Sequence, residues 1–113
     1  LKLTARIGMG ENIADLGGVL LGLEAYRLSL KGGEAPVLDG FTGTQRVFLG
    51  WAQVWRTLFR DDALRQQIVN GPHSPGFIRA YAPLRNVDAW YEAFGVAPGD
   101  ALYIAPEQRA RIW

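Results

Sequence analysis

The sequence predicts a mainly α-helical chain with one short, extended lead-in strand. Three observations support this fold class. Apolar residues recur at helical spacing in two long segments, residues 12–30 and 44–59, and in two shorter ones. Clusters of glycine and proline separate these segments. Only residues 1–10 alternate between apolar and polar with a period of two, which is typical of a strand.

The composition is that of an ordinary globular protein. The 113 residues suffice for one small domain with a modest core, and 49% of them are apolar. A formal net charge of +1 gives no reason to expect nucleic acid or an acidic membrane surface as a partner. No apolar run is long enough to be a transmembrane segment. The lack of cysteine excludes a disulfide framework and a thiolate metal site, but it does not decide the compartment.

Two carboxylates stand at the start of the first predicted helix, residues 12–30. Glu11 and Asp15 are four residues apart, so both lie on one helix face. The same column continues through Gly18 and Gly22, and a face without side chains lets another element approach closely. Apolar residues surround most of the helix, which predicts burial inside something larger than this chain.

This pair of carboxylates has two interpretations. One is a metal site, in which Glu11 is an oxygen ligand and Asp15 orients a ligating histidine. The other is structural, because acidic residues in the first turn of a helix are favoured by the helix macrodipole. The spacing alone favours the structural interpretation, since short motifs often occur by chance.

The second predicted helix, residues 44–59, follows a glycine-containing loop and has Thr44 as its N-cap. Apolar side chains recur along it, and we interpret this stripe as core rather than as a ligand-binding surface. The stripe comprises Val47, Phe48, Trp51, Val54, Trp55, Leu58 and Phe59. A third, short helix begins at Asp61 and ends at the Asn-Gly-Pro sequence of residues 70–72.

A proline- and glycine-containing stretch follows the third helix and carries the only histidine, His73. Its Pro-Gly pair predicts a turn into an extended run, in which Phe77, Arg79 and Tyr81 share one side. Taken alone, such a histidine is usually a loop residue, and such an arginine is usually solvated or packed.

A last short helix closes the predicted set. Asn86 is its predicted N-cap, Gly95 ends it, and the chain beyond is irregular. The residues predicted to face the core are Trp90, Tyr91 and Phe94.

Three separated motifs resemble, in order, those of the neprilysin-like zinc metallopeptidases, the M13 family. Residues 10–15, Gly-Glu-Asn-Ile-Ala-Asp, are similar to the motif that supplies the third zinc ligand. Residues 45–55 match the family's Gln-x-x-Phe-Leu-x-x-Ala-Gln-x-Trp helix, and residues 73–79 match His-Ser-Pro-x-x-x-Arg. The resemblance runs from about Ile7 to Trp113, where the final Arg-Ile-Trp also resembles the end of many members.

The resemblance implies the C-terminal helical portion of a thermolysin-like (gluzincin) metallopeptidase domain. In the family, two histidine ligands and the general base come from a His-Glu-x-x-His helix, which this sequence lacks. Residues 1–113 are therefore expected to be a fragment of the catalytic domain, cut just before its third ligand. Zinc, one Zn²⁺ per complete domain, is not expected to be held by this fragment alone.

The resemblance also implies a role for each candidate residue. Glu11 is expected to be the third zinc ligand, and Asp15 to orient one of the two histidines. His73 is expected to stabilise the oxyanion that forms when an activated water attacks the peptide carbonyl. Arg79 is expected to hold the substrate through a backbone carbonyl or a free C-terminal carboxylate.

The function expected from the resemblance is zinc-dependent endopeptidase action on oligopeptides by the parent protein, with the fragment inactive alone. Its partners are then a peptide substrate and the remainder of its own chain. Cysteines that animal members carry after Trp55, near Phe94 and at Ala110 are absent, which indicates a bacterial member. Export to the periplasm or cell envelope is expected from the family alone.

Two alternatives remain at this point. One is a metal-free relative that keeps the fold as a peptide-binding module. The other is a structural helical module without a zinc site. Loss of an upstream histidine would favour the first. Zinc affinity of the full-length protein that is unchanged when Glu11 is replaced by Ala would favour the second.

Overall fold

The computed structural model describes residues 9–112 of the chain, and these form five α-helices and two 3₁₀ helices without a β-strand. The α-helices are α1 (Met9–Ser29), α2 (Gly43–Val54), α3 (Asp61–Asn70), α4 (Gly76–Arg79) and α5 (Asp88–Phe94). The 3₁₀ helices are Pro83–Asn86 and Pro106–Gln108. The predicted mainly helical class is confirmed. The lead-in strand lies outside the described residues, except for Met9 and Gly10, which are helical.

Helix α1 begins at Met9 rather than at Asn12 and buries only one of its apolar faces. The chain leaves the helix where Lys31 and Gly32 take positive φ angles of 50° and 80°. The buried face carries Asp15, Leu16, Val19 and Leu23. On the other side, Leu21 and Leu28 are 63% and 70% exposed. The burial expected all round this helix is therefore not provided by residues 9–112.

Helix α2 begins and ends earlier than predicted. Thr42, not Thr44, is the N-cap: its side chain accepts a hydrogen bond from the Gln45 backbone N–H at 3.2 Å, and the Gln45 side chain accepts one from the Thr42 N–H at 2.9 Å. This reciprocal capping box needs Glu or Gln three residues after the cap, a condition that only Thr42 meets. Because α2 ends at Val54, Leu58 lies beyond it and is fully exposed.

The core lies where α2 packs against α1 and α5. Its buried apolar members are Leu16, Val19, Leu23, Phe48, Leu84, Val87, Trp90 and Tyr91. Of the stripe predicted along α2, only Phe48 is fully buried, at 2% exposure. Gly43 allows a close approach here, because a Cβ would lie 2.5 Å from the Ala35 Cβ and 2.6 Å from the Tyr26 hydroxyl, so these groups would have to shift. The interpretation of the whole stripe as core was thus too broad.

The sequence predicted an extended run after His73, but the structure has the single helical turn α4 there. Phe77 and Arg79 therefore do not share a side, since residues two apart on a helix point in different directions. Phe77 is 55% exposed, whereas the Arg79 side chain is 15% exposed. The turn is too short for sequence periodicity to reveal it, and tertiary contacts decide its conformation.

The start of α5 also differs from the prediction. Val87 is the N-cap, while Asn86 ends the preceding 3₁₀ helix and its side-chain oxygen accepts a hydrogen bond from the Ala110 N–H at 2.8 Å. Trp90 and Tyr91 are buried as predicted, but Phe94 is 39% exposed. Gly95 ends the helix in the left-handed conformation, as expected of a glycine C-cap.

Asp88, in the first turn of α5, holds the segment of residues 109–111 against the helix. Its Oδ1 accepts hydrogen bonds from Arg111 Nη2 at 3.0 Å and from Arg109 Nη1 at 2.8 Å. The Arg109 guanidinium also lies 3.6 Å from the centre of the Tyr91 ring, a cation–π contact. The hydrogen bonds from Arg111 and Arg109 lower the pKa of Asp88.

We expect the Asp88 cluster to stop stabilising the fold in acid. Because the pKa of folded Asp88 lies below its ordinary value of 3.8, the contribution is present above that value and is lost as the pH falls through the lowered pKa. Asp88→Asn should therefore lower the urea midpoint at pH 7 and have a diminishing effect below pH 3.8. Glu107→Gln, which alters an exposed carboxylate nearby, is the control. An effect of Asp88→Asn that does not vary with pH would contradict this expectation.

Candidate functional site

A buried carboxylate on α1 binds the arginine that ends α4. Arg79 Nε donates to Asp15 Oδ2 and Arg79 Nη2 donates to Asp15 Oδ1, each at 2.7 Å. Asp15 is 8% exposed, and these hydrogen bonds raise the pKa of Arg79 above its ordinary value. Two parallel bonds fix both the position and the plane of the guanidinium group. The pair joins residues 64 positions apart and so holds α4 against α1.

Two tryptophans from α2 and its C-cap complete the surroundings of Arg79. The guanidinium carbon lies 4.0 Å from the centre of the Trp55 ring, a cation–π contact. The Trp51 indole N–H donates to the Arg79 carbonyl oxygen at 2.9 Å. The two tryptophan rings meet edge to face with their centres 5.5 Å apart.

The helical spacing of Trp51 and Trp55 predicted core positions for both and gave no sign of their contacts with Arg79. Helical periodicity marks Trp51 and Trp55 as facing inward, but it does not identify the group that they meet. The general preference of arginine for tryptophan rings is the only signal that could have suggested the contact. This preference does not indicate which of the several arginines in the chain makes the contact.

Glu11 and His73 form a second, more open pair beside the first. His73 Nδ1 lies 4.0 Å from Glu11 Oε2, which is too long for a hydrogen bond. The two side chains are 46% and 50% exposed. Glu11 lies one helical turn before Asp15. The structure thus brings the four residues predicted from the sequence together as two adjacent pairs.

The residues present fit one position of a zinc site rather than a whole site. A catalytic zinc is typically held by three protein ligands chosen from His, Asp, Glu and Cys. Within residues 9–112, no three such side chains converge. Glu11 fits the role of one ligand, because its carboxylate is half exposed and not hydrogen-bonded to His73.

Asp15 is less suited than Glu11 to bind a metal directly. Both of its oxygens already accept hydrogen bonds from Arg79. Each oxygen has a second lone pair and can accept one more hydrogen bond, such as one from a histidine ring. This geometry suits the orienting role that the family resemblance implies for Asp15.

Breaking the Asp15–Arg79 pair is expected to cost far more than breaking a surface pair. Asp15→Asn leaves a mostly buried guanidinium without its counter-charge, and such losses typically cost about 3–5 kcal/mol. The control is Glu24→Gln, which removes the partner of Arg27 from an exposed pair at 4.0 Å and should cost about 0.5 kcal/mol or less. Urea unfolding of the three proteins measures both effects. Equal losses in the two variants would contradict the expectation.

Comparison with known proteins identifies the family. Residues 2–110 match the model of Peptidase family M13. The chain is 36% identical to human neprilysin over 108 residues, which cover 93% of this chain and 14% of neprilysin. It is 34% identical to human endothelin-converting enzyme 1 over 109 residues, which again cover 93% of this chain and 14% of that enzyme.

A solved structure matches more closely. The crystal structure of the Mycobacterium tuberculosis zinc metalloprotease Zmp1 in complex with an inhibitor superposes on this chain with a TM-score of 0.94 and 50% sequence identity. The match covers 98% of this chain and 17% of Zmp1, so the chain spans only a minor part of the length of its relatives. The resemblance seen in the three motifs, to the family and to a bacterial member of it, is confirmed. The chain belongs to peptidase family M13.

Proposed function

We propose that this chain is the C-terminal part of a zinc-dependent endopeptidase domain that hydrolyses oligopeptides. Membership in peptidase family M13 and the 50% identity to a zinc metalloprotease support this reaction class. The observation that carries the proposal is the placement of Glu11 beside His73, one turn from an Asp15 that Arg79 holds in place.

In this proposal Glu11 supplies one zinc ligand, and two histidines from the remainder of the polypeptide supply the others. Zinc, when bound, polarises the peptide carbonyl and lowers the pKa of a water molecule. Asp15 orients one of those histidines by accepting its ring N–H, since the bonds from Arg79 fix the carboxylate and leave it a lone pair on each oxygen.

His73 has the proposed role of stabilising the oxyanion. An imidazole N–H that points to the carbonyl oxygen becomes more favourable as negative charge develops there in the transition state. The half-exposed ring of His73 is accessible to such an oxygen, and its 4.0 Å separation from Glu11 leaves its Nδ1 without a hydrogen bond to that carboxylate.

Arg79 has the proposed role of binding the substrate backbone or its C-terminal carboxylate. Two of its five N–H donors are used by Asp15, and the other three are not. Because Asp15 and Trp55 already fix the guanidinium group, little side-chain entropy is lost when a peptide binds.

We further propose that the exposed apolar face of α1 packs against other parts of the same polypeptide. Leu21 and Leu28 lie on this face, and a Cβ at Gly18 or Gly22 would meet no described atom within 4 Å. A face of this kind, without side chains at two positions, allows close approach of a neighbouring element.

None of the helices in residues 9–112 has the length and apolar character needed to span a membrane. Action outside the cytoplasm is proposed from the family alone.

The first test is zinc binding and peptide cleavage by the full-length protein and its Glu11→Ala variant. We expect zinc affinity to fall at least about 100-fold and zinc-dependent cleavage to be lost, because a ligand is removed. Glu24→Ala, which changes an exposed carboxylate on the same helix, should leave both unchanged. The 113-residue chain alone should not cleave peptides.

The outcomes of this test separate the alternatives. Zinc affinity that is unchanged in Glu11→Ala would indicate a structural helical module. A full-length protein that binds peptides but neither binds zinc nor cleaves them would indicate a metal-free peptide-binding module. Cleavage by the isolated chain would contradict its proposed status as an incomplete part of the site.

The roles of His73 and Arg79 predict different kinetic defects. His73→Ala should lower kcat by about 100-fold or more, because an oxyanion donor acts chiefly in the transition state. Arg79→Ala should raise KM, because a contact made equally in the ground and transition states supplies uniform binding. It should also weaken zinc binding, because Asp15 loses the hydrogen bonds that hold it. Steady-state kinetics of the full-length variants measure both kinetic defects. The same defect in both variants would contradict the assignment of separate roles.

A further inference from the structure

The carbonyl group of Arg79 lacks the partner that a continuing helix would give it. In an α-helix the carbonyl of residue 79 would accept from the N–H of residue 83, but Pro83 has no N–H. The Ala82 N–H is not free to replace it, because it donates to the Ile78 carbonyl. The Trp51 indole N–H, 2.9 Å away, supplies the missing donor. A side chain of α2 thus satisfies the backbone of the arginine that ends α4.

Helix α4 does not position Arg79 by itself. It has only four residues, and so short a helix is not stable in isolation. The orientation of Arg79 therefore depends on contacts with other elements. These are the Asp15 carboxylate and the Trp55 ring on the guanidinium group, and the Trp51 N–H on the backbone.

The contacts from α2 act together. Trp51 packs its ring edge to face against Trp55, and Trp55 in turn carries the guanidinium group of Arg79 on its face. The two tryptophans therefore hold Arg79 at two points: Trp51 at the backbone carbonyl and Trp55 at the guanidinium group. A shift of the Arg79 backbone would tilt the guanidinium group away from the plane that the Asp15 carboxylate requires.

We propose that Trp51 is a positioning residue for substrate binding by Arg79. The inference rests on the proposed function for its consequence in catalysis, but its structural part concerns Trp51 and Arg79 alone. Trp51 does not touch the substrate in this proposal; it acts through the Arg79 carbonyl. Its removal should therefore change how well Arg79 binds a peptide while leaving the oxyanion donor His73 in place.

The kinetic test is Trp51→Phe in the full-length enzyme, which keeps an aromatic ring and removes the N–H. We expect KM to rise about 3–10-fold with kcat changed less than about 2-fold. Trp51→Tyr, which also keeps an aromatic ring and removes the indole N–H, is the second variant for the same comparison. Trp90→Phe, the same exchange in the core on α5, should leave KM unchanged. A merely structural role would lower the active fraction, and hence the apparent kcat, without moving KM.

A double-mutant cycle identifies the residue through which Trp51 acts. If it acts through Arg79, Trp51→Phe should have no further effect on KM in an Arg79→Ala background. Full additivity of the two changes would overturn the proposal. An unchanged KM for Trp51→Phe in an active enzyme would also overturn it.

A second readout does not depend on activity. In ¹⁵N NMR spectra the Arg79 Nε–H, which donates to Asp15, should exchange with solvent about 3–10-fold faster in Trp51→Phe than in the wild type and in Trp90→Phe. Unchanged exchange would overturn the proposal. If the full-length protein proves not to be a peptidase while exchange quickens as expected, the proposed function fails and the positioning of Arg79 by Trp51 stands.

Discussion

The bidentate pair between Asp15 and Arg79 is the interaction on which the arrangement of the site depends. It connects a helix near the start of the chain to a single helical turn 64 residues later, at two distances of 2.7 Å. A buried ion pair gives up hydration, so it is tolerated only where its geometry is good, as it is here. Glu11 lies one turn before Asp15 and His73 shortly precedes α4, so the Glu11–His73 pair lies beside the buried pair.

Helix α2 serves the core and the site at once. Phe48, near its middle, fills the core against α1 and α5, while Trp51 near its end faces Arg79. The early end of the helix at Val54 matters here. It places Trp55 at the C-cap, where its ring lies against the guanidinium group. The proposed substrate contact is thus anchored to the same element that organises the core, which favours a fixed geometry.

The described residues leave much apolar surface uncovered. The radius of gyration of 15.5 Å exceeds the value of about 13 Å that is usual for a compact domain of this length. Apolar residues such as Leu21 and Leu28 remain largely exposed on α1. Extended apolar surface of this kind marks an interaction surface. Together with the match to only 17% of the length of Zmp1, it supports the proposal that further polypeptide packs here and completes the zinc site.

The amino-acid sequence was enough to predict the helical class, the one-turn spacing of Glu11 and Asp15, and membership in peptidase family M13. The capping box at Thr42 was also readable, since it depends on residues three positions apart. Residue spacing gave no sign that Arg79 pairs with Asp15, or that Trp51 and Trp55 contact this arginine. These contacts join residues far apart in the chain, and local periodicity carries no information about which distant group a side chain will meet. The same holds for α4, whose single turn forms because its neighbours hold it in place.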